Sequence, residues 1–188
     1  MANENTTANV HAGKPKIAGS VFVAPLSTTL PTDSTTALNN AFINCGYISE
    51  DGVEAEISRD HEDKKAWGGD TVYSAQTGYA ETYKLTLIES TGLQALKTVF
   101  GSSNVSGTYA TGISVNRTSG ELPYQSWAIE MVTRDGGTRR VVIPNGKVTE
   151  IGSFKYADAD LIGYPITIQA APDASGKYSY EYVKQASS

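Results

Sequence analysis

The sequence predicts a mainly β protein, an antiparallel β-sandwich or partly open barrel with one flanking α-helix at about residues 90–101. Three observations predict it. Only 39% of the 188 residues are hydrophobic, and much of the remainder is Thr, Ser, Gly and Asn, which suits strands and turns better than helices. Several short stretches alternate apolar and polar residues at period two between turn signals. A single segment carries helical periodicity.

The elements follow in chain order. Residues 1–16 are polar and lack apolar periodicity, which predicts a flexible N-terminal arm preceding one domain at 17–188. GSVFVAPL (19–26) reads as a first strand stopped by Pro25. Residues 27–40 read as a long loop, in which Asp33 or Ser34 is placed to cap a short helical turn through Ala37, Leu38, Ala41 and Phe42. Asp51-Gly52 is a turn signal between short apolar stretches. Residues 58–80 read as a second long, charged loop, and 71–90 as extended. Tyr83, Leu85 and Leu87 alternate there with Lys84 and Thr86.

The helix is STGLQALKTVFG (90–101). Leu93, Leu96 and Phe100 share a face, Ser90 or Thr91 is placed to cap its start, and Gly101 stands where a left-handed terminal residue belongs. Beyond it, Trp127, Ile129 and Met131 alternate with Ala128 and Glu130. Gly136-Gly137 and Asn145-Gly146 read as hairpin turns. Ile166, Ile168 and Ala170 alternate with Thr167 and Gln169, and Tyr178, Tyr180 and Tyr182 share a strand face.

Several function classes are excluded by the composition. The formal charge of −5 is the wrong sign for a protein that coats nucleic acid. One cysteine, Cys45, permits no internal disulfide and reads as a small buried thiol. No apolar run approaches the ~20 residues needed to span a bilayer as a helix, so no membrane partner is expected. The densest chemistry is DHEDKKAWGGD (60–70), with one of two histidines, four carboxylates and one of two tryptophans. As a metal site its spacing fails, because consecutive strand residues point to opposite faces. His11 is the only other histidine, and it lies in the arm. No nucleotide loop, nucleophile elbow or zinc spacing is present. No catalytic residue, metal or cofactor is therefore expected, and the protein reads as a non-enzyme.

What remains is a chain with long polar extensions, too large for a domain with no site to serve unless they meet other subunits. The candidate inter-subunit residues are His61, Glu62, Asp63, Lys64, Lys65, Trp67 and Asp70 in the charged segment, with Arg134, Arg139 and Arg140 beside a hairpin tip. A second reading is a β-sandwich binding module, an adhesin or carbohydrate-binding domain using Trp67 or the tyrosine stripe as its platform.

The segment VFVAPLSTTLPTDSTTALNNAFINCGYISEDGV (21–53), the downstream AWGGDTV (66–72), the helix TGLQALKTVFG and a hairpin-rich C-terminal half stand in an order that resembles the major tail tube proteins of long, non-contractile-tailed bacteriophages. This superfamily includes the tubes of type VI secretion. The resemblance implies hexameric rings stacked into a hollow tube that delivers DNA without binding it specifically. It also implies a virion protein assembled in the host cytoplasm, meeting a tail-tip initiator, a tape measure and a tail terminator. It carries no catalytic residues.

Overall fold

A computed structural model describes residues 7, 10–17 and 20–186. Half of the predicted arm at 1–16 lies outside the described residues. Eleven strands and one helix follow: β1 (Lys14–Pro15), β2 (Val21–Pro25), β3 (Ile43–Asn44), β4 (Ile48–Lys65), β5 (Thr71–Leu87), α1 (Leu93–Phe100), β6 (Val105–Thr108), β7 (Gly112–Val115), β8 (Gln125–Val132), β9 (Thr138–Ile151), β10 (Tyr164–Ala171) and β11 (Tyr180–Lys184). Nine strands make one antiparallel sheet in the order β3-β2-β8-β9-β10-β5-β4, with β1 also on β8 and β11 also on β9. β6 and β7 form a separate hairpin. The main sheet does not close on itself, so the fold is open rather than a barrel.

The alternation read from the sequence sets which face is buried. Tyr83, Leu85 and Leu87 of β5, Trp127 and Ile129 of β8, and Ile166, Ile168 and Ala170 of β10 all point into one core. α1 closes that core with Ala95, Leu96, Val99 and Phe100. The Phe100 ring meets Tyr164 edge-on at 5.5 Å. Cys45 is fully buried beneath the helix, 3.9 Å from Thr98 Oγ1, and burial pushes its thiol pKa up to about 12. A thiol so held is chemically inert.

Four details differ from the sequence expectations. First, Gly92 occupies the N-cap of α1 and no side chain caps it, so neither Ser90 nor Thr91 does so. The terminal Gly101 has the expected positive φ of 92°, but its ψ of 140° is extended rather than left-handed helical. Second, Asp51-Gly52 makes no hairpin; β4 runs through it with a register shift between Ile48 and Val53.

Third, Asn145-Gly146 is no turn either. β9 continues through it and changes partner, from β11 over Thr138–Val142 to β10 over Asn145–Ile151. The glycine is needed for close approach. A Cβ there would stand 2.6 Å from Trp127 Cδ1 and 2.9 Å from Ile168 Cγ2. The indole Nε1 donates to the Gly146 carbonyl at 3.1 Å. Gly146→Ala is expected to destabilise the fold by about 1–3 kcal/mol, the usual cost of overpacking. The shift in urea midpoint at unchanged m-value checks it.

Fourth, residues 27–40 are not a free loop. Leu30, Leu38 and Ala41 pack on Phe22, Ala24, Phe42 and Ala128, covering the sheet face opposite the main core. No helical turn forms. Asp33 does cap, but it caps a bend: its carboxylate accepts from the amides of Thr35 and Thr36, both at 2.6 Å. Those bonds, led by the Thr36 hydroxyl, hold the Asp33 carboxyl well below the usual carboxylate range. A carboxyl with a lowered folded-state pKa stabilises above its ordinary value of 3.8, and that contribution is lost as pH falls from there toward the folded pKa. Wild type is expected to exceed Asp33→Asn in thermal midpoint at pH 7, and the gap to narrow steadily below pH 4; parallel melts over that range check it.

Candidate functional site: a projecting β-ribbon

β10 pairs with β5 only from Thr82 to Leu87. β4 and β5 nevertheless stay paired out to Lys65 and Thr71. Beyond Thr82 the two strands therefore leave the sheet as an unsupported ribbon. At about 3.3 Å per residue, the nine residues from Ile57 to Lys65 span about 30 Å. The segment 58–80 is thus a paired ribbon, not the loop expected from its charge.

Local chemistry explains the conformation. Thr71, Val72, Tyr73 and Tyr79 favour extended backbone. The tip is Ala66–Asp70, closed by Ala66 N–H donating to the Asp70 carbonyl at 2.8 Å and Gly69 N–H to the Ala66 carbonyl at 3.0 Å. Gly68 and Gly69 take φ of 124° and 100°, which side chains other than glycine's resist. Register shifts at Asp60/His61 and Lys64/Lys65 leave Thr77 and Val72 as extra residues on β5. Such bulges bend and twist a ribbon.

The root is locked by buried polar chemistry that the sequence did not reveal. Glu81, 2% exposed, accepts hydrogen bonds from the hydroxyls of Tyr79, at 2.8 Å, and Tyr83. Burial, then the bond to Glu81, raises the pKa of both phenols. Tyr79 also meets the Tyr178 ring at 4.6 Å and takes the Arg59 guanidinium at 5.1 Å. The period-two pattern at Tyr79, Glu81 and Tyr83 was the available signal, with the carboxylate disguised as an exposed residue.

The structure brings His61, Glu62, Asp63, Lys64, Lys65, Trp67 and Asp70 together on the outer ribbon and tip, all exposed. Alternation sets Arg59, His61 and Asp63 on one face and Asp60, Glu62 and Lys64 on the other. Lys64 pairs with Glu62 on its own strand, an exposed contact of little energetic weight. Among the described residues no group of three or more His, Cys, Asp or Glu side chains is placed to hold a metal ion. Trp67 is 107% exposed at the tip, with Val72 and Tyr73 exposed behind it.

The three arginines separate. Arg134 is exposed in the β8–β9 turn, and Arg139 is exposed and paired with Glu181. Arg140 is fully buried, which corrects its expected place on an inter-subunit surface. It stands opposite Glu130 in the β8–β9 register and binds that carboxylate through Nε at 2.9 Å and through Nη2. Its remaining donors hold the carbonyls of Asp33 at 2.6 Å and Thr36 at 2.8 Å. Arg140 therefore pins the 27–40 segment to the subunit's own sheet. The tyrosine stripe is likewise engaged internally: Tyr178 packs on Tyr79, and the Tyr180 hydroxyl donates to Asp173 at 2.6 Å.

Comparison with known proteins adds two findings. The model of the phage tail tube protein family matches residues 2–187. Among solved structures, the chain is similar to the tube-terminating cap of the anti-feeding prophage, at 12% identity and a TM-score of 0.45, over 96% of this chain and 98% of that one. The comparison with curated proteins returns no significant match.

Proposed function

Because this chain belongs to the phage tail tube protein family, a structural and non-enzymatic one whose members build the virion tail, we propose that it forms hexameric rings that stack into a hollow conduit for phage DNA. The observation that carries this reading is the β4–β5 ribbon. A two-stranded ribbon with solvent on both faces is marginal alone, and this one presents an exposed tryptophan at its end. Such an element gains its stabilisation from a neighbouring copy. Contacts of that head-to-tail kind close into rings or extend into filaments.

The rest of the reading follows the same logic. Arg134 and the ribbon charges lie at subunit contacts. The net charge of −5 suits a wall that DNA slides past without gripping. Growth starts on a tail-tip initiator, its length follows a tape measure, a terminator ends it, and assembly takes place in the host cytoplasm. Negative-stain microscopy of the purified protein, concentrated with its initiator, tests the proposal. Six-fold rings and tubes are expected. Dispersed monomers under every such condition would overturn it.

A further inference from the structure

α1 leaves part of the core-facing side of the sheet uncovered. There an open groove of about 640 Å³ runs between the two halves of the sheet. Its floor is the half-buried Met131, Val141 and Val53 over the buried Val21, Ile129 and Tyr83; Gly13 and Pro15 also line it, and no residue of α1 does. Glu50 and Asp51, both exposed, stand on its rim. Its floor is apolar and its lining also carries Glu130, Arg139 and Glu181, the mix of apolar centre and polar surround found at contact sites.

We infer that this groove is the receptor for Trp67 of a second copy of the chain. Three observations select that occupant, given the tube-subunit reading on which the inference rests. Trp67 is the most exposed large apolar residue described, and a protruding tryptophan is the side chain best able to anchor an interface by filling a desolvated pocket. Charge matches at the base of the tip: Lys65 precedes it, with Lys64 tied to Glu62, and Glu50 and Asp51 rim the groove alongside the Arg139–Glu181 pair. Reach excludes the subunit's own tip. Ala55 lies in the groove wall, and the strand from Ala55 to Lys65 carries the tip roughly 30 Å away from it. The contact is therefore between copies and heterologous, tip to groove, so each subunit offers one of each and the contact propagates.

The direct test places the photocrosslinker p-benzoylphenylalanine at position 67, an aromatic substitution on an exposed site, in assembled protein made from mixed light and heavy-isotope chains. The expected adducts join position 67 of one chain to peptides containing 47–55 or 129–141 of another. Adducts within one chain, adducts elsewhere, or none in assembled tubes would overturn the inference, as would protection of the groove by the chain's own N-terminal residues in the tube. Trp67→Ala is expected to raise the concentration needed for assembly at least about tenfold, with Trp67→Phe restoring part of it, the scale of loss typical of an interfacial tryptophan. Trp67→Ala tubes that grow at the wild-type concentration would sink the inference while leaving the tube-subunit reading intact; wild-type protein that never assembles would sink both.

Discussion

Arg140→Met is expected to destabilise the isolated subunit by about 3 kcal/mol, at the lower end of the cost of breaking a buried ion pair by removing one partner. The reason is what it strands. Glu130 is 6% exposed and among the described residues would keep only Lys16, whose Nζ stands 3.3 Å away. The carbonyls of Asp33 and Thr36 would lose their donors as well. Two further outcomes separate this account from simple loss of packing. Arg140→Met with Glu130→Leu is expected to recover most of the loss, since an apolar pair of similar volume carries no uncompensated charge. Protease cleavage within residues 27–40 is expected to accelerate in the single variant more than global unfolding explains. Denaturant titration checks the first, and limited proteolysis at matched stability checks the second. A double variant as unstable as the single one would contradict the role assigned to the pair.

The second large effect concerns assembly rather than folding. Ser58 and Ala80 face each other in register, so residues 59–79 are replaceable by Asn-Gly, which closes a two-residue hairpin between them. This shortening removes Tyr79 with its contacts to Tyr178 and Arg59, and with them one of the two phenols bonded to the buried Glu81, costing about 2–3 kcal/mol. It leaves the core residues Tyr83, Leu85 and Leu87 untouched. The subunit is therefore expected to fold with a lowered melting midpoint and to form no tubes. Circular dichroism melts and negative-stain images of the same preparation read both properties. Tubes of normal length from the shortened chain would remove the ribbon from the assembly.

The sequence disclosed the elements whose faces differ. β5 and β10 bury one face and leave the other wholly or partly exposed, so their period-two pattern was plain, and α1 showed its apolar stripe; β8, buried on both faces, was read from the alternation of Trp127, Ile129 and Met131. β4 was not read as a strand, and beyond residue 57 the reason is complementary. Both faces of the outer ribbon meet solvent, so no apolar alternation marks it, and DHEDKK looked like a loop. Asn145-Gly146 and Asp51-Gly52 carried turn chemistry that tertiary contacts overrode, the first because Trp127 needs the space above Gly146.

The candidate site was legible in composition but not in shape. The run at 60–70 was singled out as a candidate contact element, and the structure places it on a projecting ribbon. Arg140 was indistinguishable from Arg139 in the sequence, where adjacent arginines look alike. In the sheet they point to opposite faces, one to solvent and one into a buried pair with Glu130. Glu81 was hidden in the same way: nothing in a single carboxylate announces that two tyrosines two residues away on either side will bury it.

The central claim is that the β4–β5 ribbon belongs energetically to a neighbour. Amide hydrogen exchange, followed residue by residue in isolated subunits and in assembled tubes, tests this most directly. The ribbon's cross-strand bonds are unsupported in the subunit, so the amides of residues 58–70 are expected to exchange rapidly there, as low-stability segments do. Core amides of β8 and β10 are expected to be protected in both states. In the tube the account predicts strong protection across 58–70; equal exchange of those residues in subunit and tube would contradict it.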